Sequence, residues 1–124
     1  MSTATEGAAQ IRSLKALAPG WFDGAGTRYD PAALDWLAAP VDRLVHGFEL
    51  PTPSVYPTPE GHARLEWSAQ RWEVIATIDL ATKSTAVLAA CAESDEIHEL
   101  PGTVAEPGAE GALGRFLVDH VLAR

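Results

Sequence analysis

The chain has 124 residues, 17 acidic against 9 basic for a formal net charge of −8, and 47% hydrophobic residues including four tryptophans. That length fits one domain, and its apolar content excludes a disordered acidic tail. No apolar stretch approaches the roughly 18 residues of a membrane-spanning helix, the opening MSTATEGAAQ lacks the basic and apolar regions of a secretory leader, and a single cysteine excludes an internal disulfide framework or a thiolate-rich zinc site.

Residues 1–7 are small and polar and are expected to fray, leaving a single domain over 8–124. Ile11, Leu14 and Leu17 recur at helical spacing over residues 8–18, and Pro19-Gly20 stops that helix. The glycine- and aromatic-rich loop GWFDGAGTRYD follows. Asp30-Pro31 opens a second helix, the aspartate as cap and the proline at the first helical position. Leu34, Leu37, Val41, Leu44 and Val45 form its apolar stripe. Pro40 lies inside it, which predicts a kink or two abutting short helices, and Gly47 is placed to end the second piece.

Prolines 51, 53, 57 and 59 make an extended, stiff segment with an edge strand near Val55-Tyr56. The period then changes to two. Ala63, Leu65 and Trp67 alternate with polar residues over 62–68, as do Trp72, Val74, Ala76 and Ile78 over 71–78. Residues 84–92 are apolar on both faces, which predicts a strand covered on both sides. Ile97 to Leu100 adds a short strand, and Pro101-Gly102 and Pro107-Gly108 bracket a loop. Helical spacing returns over 109–123 through Leu113, Phe116, Leu117, His120 and Val121, where Gly111 and Gly114 either cost propensity or permit close packing. The sum is an α+β domain: two N-terminal helices, the second kinked at Pro40, a three- to four-stranded antiparallel sheet, and a C-terminal helix packed on the sheet.

Catalytic and metal-binding patterns are weak. Gly24-Ala25-Gly26 is not a complete dinucleotide fingerprint, and a helix rather than a strand precedes it. The four histidines, 46, 62, 98 and 120, show no His-x-x-x-His interval, and His120 sits on an apolar stripe as a hydrogen-bonded core histidine would. Cys91 lies in an apolar run and reads as a small buried hydrophobe. Glu66 and Glu73 read as partners of Arg64 and Arg71 across a hairpin rather than as a carboxylate pair for acid–base work. The reading is against catalysis, with no cofactor and no metal.

The negative charge opposes a phosphate backbone. It favours another protein, of basic character, as partner, with Trp21, Asp23 and Tyr29 as loop contacts and Glu66 as a polar strand position. Between residues 92 and 110 lie Glu93, Asp95, Glu96, Glu99, Glu106 and Glu110 with no lysine or arginine, a run that serves either solubility or a basic partner.

The strings Pro19-Gly20-Trp21-Phe22-Asp23-Gly24-Ala25-Gly26, Pro53-Ser54-Val55-Tyr56-Pro57-Thr58-Pro59-Glu60-Gly61 and Leu65-Glu66-Trp67 carry a resemblance. The chain resembles a family of small, uncharacterised bacterial proteins with a Gly-Trp-x-Gly-x-Gly loop, a Pro-Thr-x-x-Gly turn and a Leu-Glu-Trp strand, with one extra residue here between Trp21 and Gly24. The resemblance covers residues 11–78 and implies a bacterial, cytoplasmic accessory protein with no reaction to transfer. The expectation is therefore a non-catalytic acidic protein-binding domain of antitoxin-like or immunity-like type. The alternative is a small-ligand-binding domain or enzyme with a pocket between the sheet and the kinked helix. Homodimer formation through the sheet edge or last helix is a third reading.

Overall fold

The computed structural model describes residues 6–26, 28–69, 71–103 and 109–122. Helix α1 (Glu6–Ser13) runs into a short 3-10 turn (Leu14–Ala16). A loop leads to α2 (Pro31–Gly47), and five strands follow: β1 (Ser54–Pro57), β2 (His62–Ser68), β3 (Trp72–Asp79), β4 (Ser84–Cys91) and β5 (Ile97–Thr103). Helix α3 (Ala109–Val121) closes the order. The strands form one antiparallel meander in sequence order.

Five strands stand where three to four were expected. Tyr56 pairs with Arg64 and makes β1 a full edge strand. At the other edge β5 continues through Pro101-Gly102, expected to be loop. An edge strand tolerates proline because one side of its backbone needs no partner. The first helix is shorter than expected, its last turn tightening to 3-10 geometry before Leu17. Of the expected frayed end, Glu6 and Gly7 already belong to α1 and residues 1–5 lie outside the described residues, as does Pro107-Gly108.

Of the two expectations at Pro40, a kink or two abutting helices, the second is corrected: α2 is one helix of 17 residues. Asp30 caps it as expected, its Oδ1 accepting from the Ala32 N–H at 3.1 Å. Pro40 has no N–H to give the Trp36 carbonyl, but its ring is buried against the sheet. The helix ends at Gly47 as expected, though Gly47 does not take the left-handed role that often closes a helix end. That role falls to Glu49 at φ 54°, and the Leu50 N–H reaches back to the Val45 carbonyl at 3.0 Å.

The helices cover one face of the sheet. Leu34, Leu37, Val41 and Leu44 of α2 and Leu113 and Leu117 of α3 share a core with Leu65, Trp67, Val74, Ala76, Ile78, Val87 and Ala89. The two glycines of α3 have different reasons. A side chain at Gly111 would meet open space, whereas Gly114 is buried and the Phe48 ring lies where its Cβ would be. Between the sheet and α2 the space left is about 20 Å³, lined by Leu37, Pro40, Val41, Leu44 and Thr85 among others. That is room for one water, and the buried Thr85 hydroxyl borders it without a hydrogen-bond partner. Among the described residues this space falls well short of the roughly 300 Å³ that a substrate pocket takes.

Candidate functional site: the uncovered face of the sheet

Strand alternation sends every second side chain away from the helices, and among the described residues no element covers that side. The register lines up Ser54, Glu66, Ile75, Leu88 and Glu99 across all five strands. One neighbouring row runs Ser68, Glu73, Ala90 and Ile97, and the other runs Tyr56, Arg64, Thr77 and Ala86. The middle of the face is thus apolar, and Ile97 and Tyr56 stand out from it, 55% and 48% exposed. Ile75, Thr77, Ala86, Leu88 and Glu99 line a shallow hollow of about 350 Å³. The expectation that β4 is covered on both sides is therefore corrected. Thr85, Val87, Ala89 and Cys91 are buried, while Ala86 is exposed and Leu88 and Ala90 are only half-buried.

Polar groups ring this face. Arg64 Nε lies 2.6 Å from Glu66 Oε2, two residues along the same strand rather than across the hairpin. Glu73 accepts from the Ser68 hydroxyl at 2.9 Å rather than from Arg71. His62 and Asp79 approach at 3.6 Å at one end. The Asp79 carboxyl is held below the usual range, first by the Thr82 backbone N–H and also by that of Ala81, both of which it accepts in the β3–β4 turn. Glu93, Asp95, Glu96 and Glu99 are exposed along the β4–β5 hairpin. Glu106 lies outside the described residues.

The four contact residues read from the sequence do not form one surface. Glu66 is on the uncovered face, half-buried beside Arg64. Trp21 is partly buried against the core on the helix side, its indole filling the space where a Gly26 side chain would stand. Asp23 is exposed at φ 50° beside Gly24 at φ 90°. These two make a tight two-residue turn closed by paired bonds between Phe22 and Ala25 at 2.7 and 2.8 Å. Asp-Gly is the strongest short hairpin signal a sequence offers, so this turn was there to be read. Tyr29 does not reach the surface. It is 2% exposed, and its hydroxyl donates to the His62 carbonyl at 2.6 Å and accepts from the Thr58 N–H at 3.0 Å. Burial raises its phenol's pKa, and the residue pins the loop to the β1–β2 turn instead of presenting itself to a partner.

Cys91 is buried at the end of β4, its thiol held below the ordinary range first by the Ser94 hydroxyl, then by the Glu93 backbone and Arg71. Among the described residues no three His, Cys, Asp or Glu side chains group to hold a metal ion, and no helix is long and apolar enough to cross a membrane. Comparison with protein-family models, with curated proteins and with solved structures finds no match, so the resemblance of the Gly-Trp loop and Leu-Glu-Trp strand rests on those motifs alone.

Proposed function

We propose that the chain is a non-catalytic protein-binding domain, an accessory protein of antitoxin or immunity type, that engages a basic partner through the uncovered face of its sheet. The observation that carries this reading is the apolar Ile75–Leu88 pair, without a covering layer among the described residues, with Glu66, Glu73 and Glu99 around it. Natural sheets leave a polar outer face where water is the only neighbour. Here the side chains at the centre are those of a second buried face, and an apolar patch rimmed by polar groups is the mark of an interaction site.

Charge selects among the occupants. A nucleic acid would set phosphates against the carboxylates. A second copy would bring the same acidic rim against itself, with Arg64 already engaged by Glu66. A protein whose apolar centre is flanked by lysine or arginine satisfies both parts of the face, and the net charge of −8 speeds its encounter. Full burial of a leucine or isoleucine contributes about 1.5–3 kcal/mol. The half-buried Ile75 and Leu88 together supply a hot spot of about that size.

The test is a photo-crosslinking residue placed in turn at Leu88, Ile75 and the exposed Ala39 of α2, in the native cell. The reading expects one predominant adduct at both sheet positions, with a protein of basic surface, and none at Ala39. The same adducts at all three positions, or none on the sheet, overturn it.

A further inference from the structure

We infer that α3 is clasped to β5 by a single extra proton shared between His98 and His120, which makes the docking of that helix strongest at one protonation state and weaker on either side of it. His98 projects from β5 on the helix side, opposite Ala89. His120 lies in the last turn of α3 and is buried. Their nitrogens, His98 Nδ1 and His120 Nε2, are 2.7 Å apart. The outer nitrogens are engaged too: His98 Nε2 lies 2.6 Å from Glu96 Oε2, and His120 Nδ1 lies 2.7 Å from the Phe116 carbonyl. The Trp72 ring stands 4.8 Å from each imidazole and Phe116 4.2 Å from His120.

Counting protons decides what this chain of contacts requires. Glu96 and the Phe116 carbonyl only accept, so each outer nitrogen must carry a hydrogen. The central contact needs one hydrogen between two nitrogens. Three protons on four nitrogens satisfy all three contacts, and two neutral imidazoles hold only two. With two, one contact sets a lone pair against a lone pair. With four, two N–H groups face each other across 2.7 Å. The geometry is that of a pair bearing one positive charge in common.

The surroundings favour that charge at both ends. The Glu96 carboxylate touches one ring, and the other sits where the carbonyl end of a helix attracts a cation. The remaining ionisable groups on the elements that meet here are Arg71 just before β3, Glu73 and Asp79 within it, Cys91 at the end of β4, Glu93 and Asp95 in the hairpin turn, Glu99 on β5, and Glu110, Arg115 and Asp119 on α3. Losing the shared proton leaves one of the three contacts without a hydrogen, and adding a fourth sets two N–H groups against each other, so the docking weakens on either side of the singly charged state. Imidazoles in general change charge over about pH 5–8. The clasp stands whatever occupies the opposite face of the sheet.

Imidazole proton–nitrogen NMR on the full chain across that span, with amide exchange of α3 corrected for intrinsic rates, tests it. The expected result is protonated His98 Nε2 and His120 Nδ1 at the optimum, averaged inner nitrogens, and α3 protection falling about tenfold on either side as one charge-assisted bond is lost. The exchange profile should flatten in His98→Gln and His120→Gln and persist in His46→Gln, whose imidazole is on the surface. Two singly protonated neutral rings throughout, or the same optimum in both clasp variants, overturns the inference. The wild-type spectra decide it even where a variant fails to fold.

Discussion

Replacing Gly114 by alanine should destabilise the protein, although the same change usually strengthens a helix. Alanine gains about 1 kcal/mol over glycine in a helix interior. A Cβ on Gly114, however, would lie 2.6 Å from Phe48 Cδ2 and closer still to Cε2 and Cζ. Carbon atoms rest about 3.5–4.0 Å apart, so the ring must retreat by more than about 1 Å. Phe48 is half-buried against the core just past α2, and such overpacking costs about 1–3 kcal/mol. The net is a loss of up to about 2 kcal/mol. Gly111, three residues earlier in the same helix, meets nothing within 4 Å, and its alanine variant should gain up to about 1 kcal/mol. Thermal and urea unfolding of the two variants, with Phe48→Leu as the partner in a double-mutant cycle, measures both. Phe48→Leu should recover part of the Gly114→Ala loss. Equal stabilisation by the two alanines would refute the close packing of α3 on Phe48.

Tyr29→Phe removes a buried hydroxyl that bonds the His62 carbonyl and the Thr58 N–H, and should cost about 1–2 kcal/mol in chemical unfolding without altering the secondary structure seen by circular dichroism. Glu49 holds a left-handed backbone at the end of α2, so Glu49→Gly should raise stability by about 0.5–1 kcal/mol, read as a higher melting temperature. The Asp79 carboxyl is depressed in the folded protein, so its stabilisation is complete above the unfolded carboxylate value near 4 and fades as pH falls below it. Between pH 3 and 5 the melting temperature of Asp79→Asn should therefore depend less steeply on pH than that of the parent.

Local chemistry made much of this fold legible. Asp30-Pro31 is both cap and first turn, and the alternation in 62–68 and 72–78 marks strands because one face must be buried. What sequence could not supply is pairing at a distance. Pro101 looks like a loop residue until β5 is seen to be an edge. Tyr29 looks like a display residue until Thr58 and His62 arrive around its hydroxyl. His120 reads as a core histidine from its stripe, but its partner is 22 residues away on another element and no spacing rule announces it. The doubly apolar pattern of β4 is visible in the sequence and predicts two covering layers. Among the described residues the fold supplies one, so the same pattern marks the face proposed above as the binding surface.

Titration of the crosslinked partner against the purified domain tests that assignment most directly, with Leu88→Arg set against Ala39→Arg. An arginine at 88 stands opposite Glu99, a cross-strand pairing of opposite charges, yet it sets a positive charge at the centre of the face proposed to receive a basic protein. The account predicts at least about a thirtyfold loss of affinity for Leu88→Arg, the equivalent of a 2 kcal/mol hot spot, and no change for Ala39→Arg. Unchanged binding by Leu88→Arg, in a domain that still unfolds cooperatively, would contradict it.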